Sequence, residues 1–268
     1  MTNTDDSPSR MPAVFLGHGS PTNALEDNAC TRAWHEIAES IPKPRAILSI
    51  SAHWYTRGTG VTAMERPRTI HDFGAGLPAP LFQLQYPAPG DPSLAHRIQA
   101  LVRQTEVVLD TSWGLDHGTW SVLLKAYPEA DIPVVQLSID ATRAGDWHFR
   151  LGRELRPLRD EGVLILGTGN VVHNLGIMEW NDRAQPYDWA MRFNDYVKSA
   201  ILEDTPERLF DPLAVGRDGQ LSVPSPDHYL PLLYVLGARH DDDGVRIHPE
   251  HIVFKSLSMM SFVLDRAA

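Results

Sequence analysis

The sequence predicts an α/β fold, a single domain whose central, largely parallel sheet is flanked by helices. Three observations predict it. Short, nearly continuous apolar runs recur along the chain, as strands buried on both faces require. Helical stretches separate those runs, the alternation that builds a parallel sheet. No internal repeat, low-complexity segment or Gly/Ser linker divides the 268 residues. A chain of that length can bury a substantial core as one unit.

The elements follow in order. Residues 1–10 are polar, with two acids, and read as a disordered tail. A single domain is expected over residues 11–268. Ala13 to Leu16 is a buried strand that stops at Gly17-His18-Gly19-Ser20-Pro21, a tight turn. Ala29 to Ser40 reads as a helix ended by Pro42 and Pro44, and Ala46 to Ser51 as a second buried strand running into Ala52-His53-Trp54. Residues 66–92 are rich in Pro and Gly, and so long a loop is unusual inside a compact domain. Pro92 sits in the first turn of a helix expected to reach Arg103. Another helix covers Trp120 to Tyr127, and Pro133 to Ile139 is a third strand. A long amphipathic helix is expected from Gly145 to Arg159, and a fourth strand from Gly162 to Leu166. Tyr187 to Leu202 is helical, and residues 205–226 form a polar connection. Ser225-Pro226-Asp227 opens a helix carrying His228 to Leu236, and Ile252 to Leu257 is the last strand.

Composition excludes several functions. The formal charge is -10, and only four of the 24 cationic residues are Lys. Nucleic-acid binding needs a dense basic face and membrane anchoring a polybasic cluster; neither is expected here. One cysteine, Cys30, excludes internal disulfides and multi-thiolate metal sites. The N-terminus lacks a basic start and an apolar h-region, so a cytoplasmic protein is expected. Sequence leaves the oligomeric state open.

Histidine is the abundant functional residue, at 12 positions. His18 and His53 follow the first two strands, and His173 follows the fourth. In open α/β sheets ligands bind beyond the carboxyl ends of the strands. Three strands therefore deliver three imidazoles to one edge, and His117 and His228, each before a helix, suit the same edge. Clustered neutral imidazoles suit Zn, Fe, Cu or Ni. His35, His96, His148, His240, His248 and His251 lie in polar helical or terminal stretches and read as ordinary residues. His71 is open between the two readings.

Five motifs then stand in one order: Gly17-His18-Gly19-Ser20-Pro21, Ser51-Ala52-His53-Trp54, Asp116-His117-Gly118-Thr119-Trp120, Gly169-Asn170-Val171-Val172-His173-Asn174-Leu175 and Asp227-His228-Tyr229-Leu230-Pro231-Leu232. Together with Thr69-Ile70-His71-Asp72-Phe73-Gly74, they resemble the class III (LigB-like) extradiol ring-cleaving dioxygenases, within them the bacterial 4,5-DOPA dioxygenase group. The resemblance runs from Met11 to about Phe262. It implies that His18, His53 and His228 hold one divalent non-haem metal. It gives His173 the place of a fourth ligand or an acid–base residue, and His117 that of an active-site histidine beside the metal. Many relatives use two His and one carboxylate; the all-imidazole set here puts Fe(II), expected for activity, in competition with Zn(II).

The reaction so implied opens a catechol such as L-DOPA with O2, by 4,5-cleavage, to a muconate semialdehyde. His173 and His117 would handle protons, since imidazole titrates near neutral pH. His71, Asp72 and Phe73 are candidates for a lid, Trp54 and Tyr229 for flanking the ring, and Arg57 for meeting a carboxylate. Asp227 is expected to point away from His228 on a common helix. Two other classes stay open, a zinc-dependent hydrolase and a non-catalytic metal-binding protein.

Overall fold

The computed structural model describes residues 10–181 and 183–267. The first half of the chain forms β1 (Ala13–Gly17), α1 (Ala29–Glu39), β2 (Ala46–Thr56), β3 (Thr59–Thr62), α2 (Pro92–Leu101), β4 (Val107–Asp110) and α3 (His117–Ala126). Then come β5 (Val134–Asp140), α4 (Gly145–Leu155), α5 (Pro157–Asp160), β6 (Val163–Gly169) and α6 (Asp188–Leu202). The chain closes with α7 (Arg217–Ser222), α8 (Pro231–Gly237), β7 (Asp243–Ile247), β8 (Ile252–Val253), β9 (Leu257–Ser258) and β10 (Phe262–Arg266).

Eight strands make one sheet in the order β4-β3-β5-β2-β6-β1-β10-β7. Its middle, β5-β2-β6-β1, is parallel throughout. These are the four strands read from continuous apolar runs, and β5 and β6 are buried at every position. Side chains alternate between two apolar layers, as the two-residue strand period requires. Val14, Leu16 and Leu164 pack with α1 and α3 through Trp34, Ile37 and Leu123. Phe15, Leu48 and Ile165 face the opposite layer, where Leu151 of α4, Phe193 of α6 and Leu232 of α8 lie. The sheet is thus covered on both faces, and its strand ends are left to carry chemistry.

Some boundaries differ from the sequence reading. The helix expected from Gly145 to Arg159 is interrupted after Leu155, because Pro157 lacks an N–H and starts α5. The helix expected from Asp227 begins only at Pro231, which takes the first helical position that proline prefers. Ile252 to Leu257 is no single strand: β8 and β9 form a small hairpin whose turn holds Phe254 and Lys255 left-handed. The sheet also gains β3, β4, β7 and β10 at its margins. Of the expected N-terminal tail, residues 1–9 lie outside the described residues, whereas Arg10 is held by Asp242 and Asp243.

One buried cation ties the chain before β1 to β10, the start of β7 and the end of α8. Arg159 is fully buried and pairs with Asp243, at the start of β7. Its guanidinium also donates to the carbonyls of Met11, Ala238 and Leu264. Truncation would take the buried cation from the Asp243 carboxylate, leaving it only Arg10 and the His240 N–H, and would remove the guanidinium bonds of three carbonyls. Arg159→Met is therefore expected to lower the unfolding free energy by about 3–5 kcal/mol, read as a fall in the urea midpoint.

Candidate metal centre

The imidazoles converge because the sheet delivers them. β1 and β6 run parallel and end in register at Gly17 and Gly169. His18 continues that ladder by one bond, its N–H donating to the Gly169 carbonyl at 3.0 Å. His53 lies in β2 where its register against β5 slips between Ile50 and Tyr55. His117 is the first residue of α3, whose N-cap is Asp116. His173 follows β6 and donates its N–H to the Ser222 carbonyl at 2.9 Å, while the His228 carbonyl accepts from Asn170 N–H at 2.9 Å.

Two glycines permit this convergence. A Cβ on Gly169 would stand 2.1 Å from the His228 carbonyl oxygen. A Cβ on Gly118 would stand 2.4 Å from Ser51 Oγ and 2.8 Å from the His53 ring. Both are far inside ordinary contact distance, so any larger residue must move the imidazoles.

The Nε2 atoms of His18 and His53 are 3.3 Å apart. Donor nitrogens of His18, His53 and His117 all lie within 4.8 Å of one another. The His228 ring centroid is 5.2 Å from that of His18 and 4.9 Å from that of His53. His173 stacks flat on His228, with centroids 3.5 Å apart and planes 6° apart. Burial, then the charges neighbouring imidazoles would carry, holds His18 and His53 well below the usual histidine range. His173 is pushed down to about 3, again by burial first and His228 second. These three are therefore neutral at pH 7, with lone pairs to offer.

Carboxylates stand behind the rings. Asp227 contacts His228 Nδ1, which fixes the tautomer and presents Nε2 to the cavity side. Burial pushes Asp227 up, but the His228 hydrogen bond and charge outweigh it and hold the carboxyl well below its usual range. This overturns the expectation that Asp227 points away: both residues precede α8, in a turn that lets them meet. Asp72, from the Pro/Gly-rich loop, accepts from His117 N–H at 2.8 Å. Its Oδ2 lies 3.0 Å from His117 Nδ1 and 3.6 Å from His53 Nδ1. Sequence reading quoted Asp72 only as part of a motif; its partners are 45 and 19 positions away, beyond any local pattern. Asp116 is buried and accepts from Ser51 Oγ and Gln136 Nε2, both at 2.6 Å.

All five histidines line one cavity of about 430 Å³. Its other walls include Phe73, Leu77, Leu175, Met178, Trp180 and Leu257. The donor set fits a divalent metal: neutral imidazoles gather there, and buried His18 Nδ1 has no hydrogen-bond partner in the protein.

Three residues expected at the substrate lie elsewhere. Trp54 follows His53 in β2, points to the other face, and stacks on Trp113 at 5.6 Å. Tyr229 is buried in the core and donates to the Leu209 carbonyl. His71 contacts the Leu84 carbonyl through Nε2 at 2.9 Å and packs beside Trp120 and Phe82. Arg57 is exposed. Away from the cavity, buried Cys30 has its thiol pushed up to about 12, with His251 Nε2 at 2.9 Å from its sulfur.

Two outcomes are expected of this geometry. Gly118→Ala must displace His53 or Ser51, and metal affinity should fall about 10–100-fold, measured by competition with a chromogenic chelator. An ordinary imidazole binds protons below pH about 6.5 and then loses metal. Here His18 and His53 stay unprotonated well below that value, so the fall in Zn(II) affinity between pH 7.5 and 6, measured by calorimetry, should be well short of the about 50-fold loss that three ordinary imidazole ligands would give.

Residues 12–264 match the family described as catalytic LigB subunit of aromatic ring-opening dioxygenase. The chain is 53% identical over 259 residues to a 4,5-DOPA dioxygenase extradiol of Escherichia coli (strain K12), covering 95% of each chain. It is 40% identical to a protein of the same name from Beta vulgaris, over 87% of this chain and 88% of that one. The crystal structure of an uncharacterized protein from Escherichia coli K12 superposes with a TM-score of 0.83 at 48% identity, covering 96% of this chain and 100% of that one. The chain belongs to the LigB family of aromatic ring-opening dioxygenases.

Proposed function

We propose that this chain opens a catechol such as L-DOPA by extradiol 4,5-cleavage to a muconate semialdehyde, with Fe(II) as its metal and His18, His53 and His228 as ligands. The supporting observation is the gathering of neutral imidazoles on one cavity at the carboxyl edge of the sheet. The names of the relatives support the substrate. Bound there, Fe(II) supplies the redox centre at which the two catechol oxygens and O2 meet. Residues 11–268 act as one catalytic domain. An acidic chain with a single cysteine, in which no described helix is long and apolar enough to cross a membrane, suits a cytoplasmic enzyme that handles small molecules.

The residues divide the work. His228, its Nδ1 engaged by Asp227, keeps Nε2 for the metal. His173 stacks against the His228 face, beside the place the metal would take, and is the residue positioned to accept the first phenolic proton. His117 is anchored by Asp72 at its backbone N–H, with the second carboxylate oxygen 3.0 Å from Nδ1, and orients the substrate. Apolar side chains, Phe73 and Leu77 among them, line the cavity beyond the imidazoles.

Anaerobic reconstitution with Fe(II), then L-DOPA and oxygen, is expected to give a yellow semialdehyde. Esterase activity under Zn(II), with no product from a panel of catechols, would favour the hydrolase instead. His228→Ala should weaken metal binding at least about 100-fold. His117→Ala and His173→Ala should keep the metal and lower kcat by about 10²–10⁴-fold. Metal release from His117→Ala but not from His228→Ala would exchange their roles. Wild-type turnover in both His117→Ala and His173→Ala would refute the proton assignment.

A further inference from the structure

The cavity extends beyond the imidazoles between two segments that the strand ends do not supply. On one side stand Phe73 and Leu77, from the Pro/Gly-rich loop; on the other stand Leu175, Met178 and Trp180, from the connection after β6. The polar atoms offered by the described lining side chains come from the imidazoles, Ser20 and the Trp180 indole N–H. At the mouth the apolar surface is left open to water: Leu175 is 57% and Trp180 70% exposed. Neighbouring Ile177 is also exposed. Large apolar side chains grouped in this way at a cavity mouth mark a surface meant to be covered.

This wall is built into the fold. Asn174 N–H donates to the Ser256 carbonyl at 3.2 Å, and Ser256 Oγ returns a bond to the Asn174 carbonyl at 2.8 Å. Glu179 N–H donates to the Phe254 carbonyl, and the Glu179 carboxylate meets Lys255 Nζ at 2.6 Å. The Phe254 ring packs against Trp180, with centroids 5.3 Å apart. Phe254 and Lys255 both take left-handed backbone, at φ 51° and 66°. Bulky residues rarely adopt that conformation without tertiary support. The β8–β9 turn thus holds the connection, and Trp180 with it, in place at the mouth.

We propose that this wall selects catechols bearing an apolar ring substituent, with Leu175, Met178 and Trp180 as the residues that bind the substituent. The proposal rests on the ring-opening reading of the same cavity and deepens it. With the catechol oxygens at the imidazole end, a substituent pointing to the mouth is covered by these side chains and covers them in turn. An alkyl chain there removes apolar surface from water on both partners. The ammonium and carboxylate of an amino-acid side chain would instead give up hydration beside Trp180 and Leu175.

The test is a series of kcat/KM measurements on the Fe(II)-loaded enzyme with catechol, 4-methylcatechol, 4-ethylcatechol, 4-propylcatechol and L-DOPA. The expected result is a rise of about fourfold per added carbon, with 4-propylcatechol above L-DOPA by roughly tenfold or more. L-DOPA equal to or better than 4-propylcatechol would overturn this proposal while leaving ring opening intact. No cleavage of any of the five would overturn the ring-opening reading itself, and this proposal with it. A second arm locates the contact through the ratio of kcat/KM for 4-propylcatechol to that for catechol. Trp180→Ala and Leu175→Ala should each lower that ratio by about tenfold, with Trp180→Phe restoring most of it. A ratio unmoved in both alanine variants would overturn the assignment of the wall, and stability measured alongside would show whether either variant fails to fold.

Discussion

Five imidazoles can share one cavity only while they stay largely uncharged. Two protonated rings with Nε2 atoms 3.3 Å apart would repel by about 5 kcal/mol at an effective dielectric of 20. Burial opposes protonation further, and the two effects act in the same direction on His18, His53 and His173. The neutrality that lets these rings pack also makes them ligands, since a metal takes the lone pair a proton would otherwise occupy. Much else in the structure serves that condition. The sheet brings the strand ends together, Gly118 and Gly169 admit the close approach, and apolar side chains line the cavity beyond the imidazoles.

Negative charge is kept near the rings but at one remove. Asp227 backs His228, and Asp72 backs His117 with His53 close by. A site whose donors are neutral imidazoles thus has carboxylates in its surroundings to balance a divalent ion. Asp116 does a related job for the scaffold. Its carboxylate caps α3 while accepting from Ser51 on β2 and Gln136 on β5, so the helix that starts with His117 is bolted to two strands. Ser49 Oγ adds a further bond to Thr119 Oγ1. These contacts explain polar residues within strands that are otherwise apolar: Ser49, Ser51 and Gln136 fasten α3 to the sheet.

How much of this was legible in the chain depended on the range of the interaction. β1, β2, β5 and β6 were readable because both their faces are buried, which leaves a continuous apolar run. The marginal strands carry no such mark. β3 is Thr-Gly-Val-Thr, β4 is half exposed, and β7 starts with Asp-Gly. The position of His18 and His173 just past strand ends followed from the strand pattern alone, and their meeting from the rule for parallel sheets; His53, expected after the second strand, lies inside β2, which runs on to Thr56. His117 and His228 needed the family resemblance to gain a role. Asp72 was hidden because its contact with His117 is made across the fold. Trp54 and Tyr229 were misplaced for a local reason: each adjoins a site histidine in sequence, and neighbours in a strand or tight turn point different ways.

Reaction and selectivity draw on different parts of this architecture. The imidazoles stand on strand ends and the turns locked to them, where a shift of one residue would disturb the parallel register of β1 and β6. Those positions are fixed by the sheet and the turns that bond to it. The outer walls come from the Pro/Gly-rich loop and the connection after β6, whose cavity-facing residues Phe73, Leu77, Leu175, Met178 and Trp180 are partly or largely exposed, although the loop also sends Leu81 and Tyr86 into the core. Membership in the family therefore speaks to what happens at the imidazoles. What the ring may carry is set by the side chains of the connections, in this chain Leu175, Met178 and Trp180, held at the cavity mouth by the β8–β9 turn.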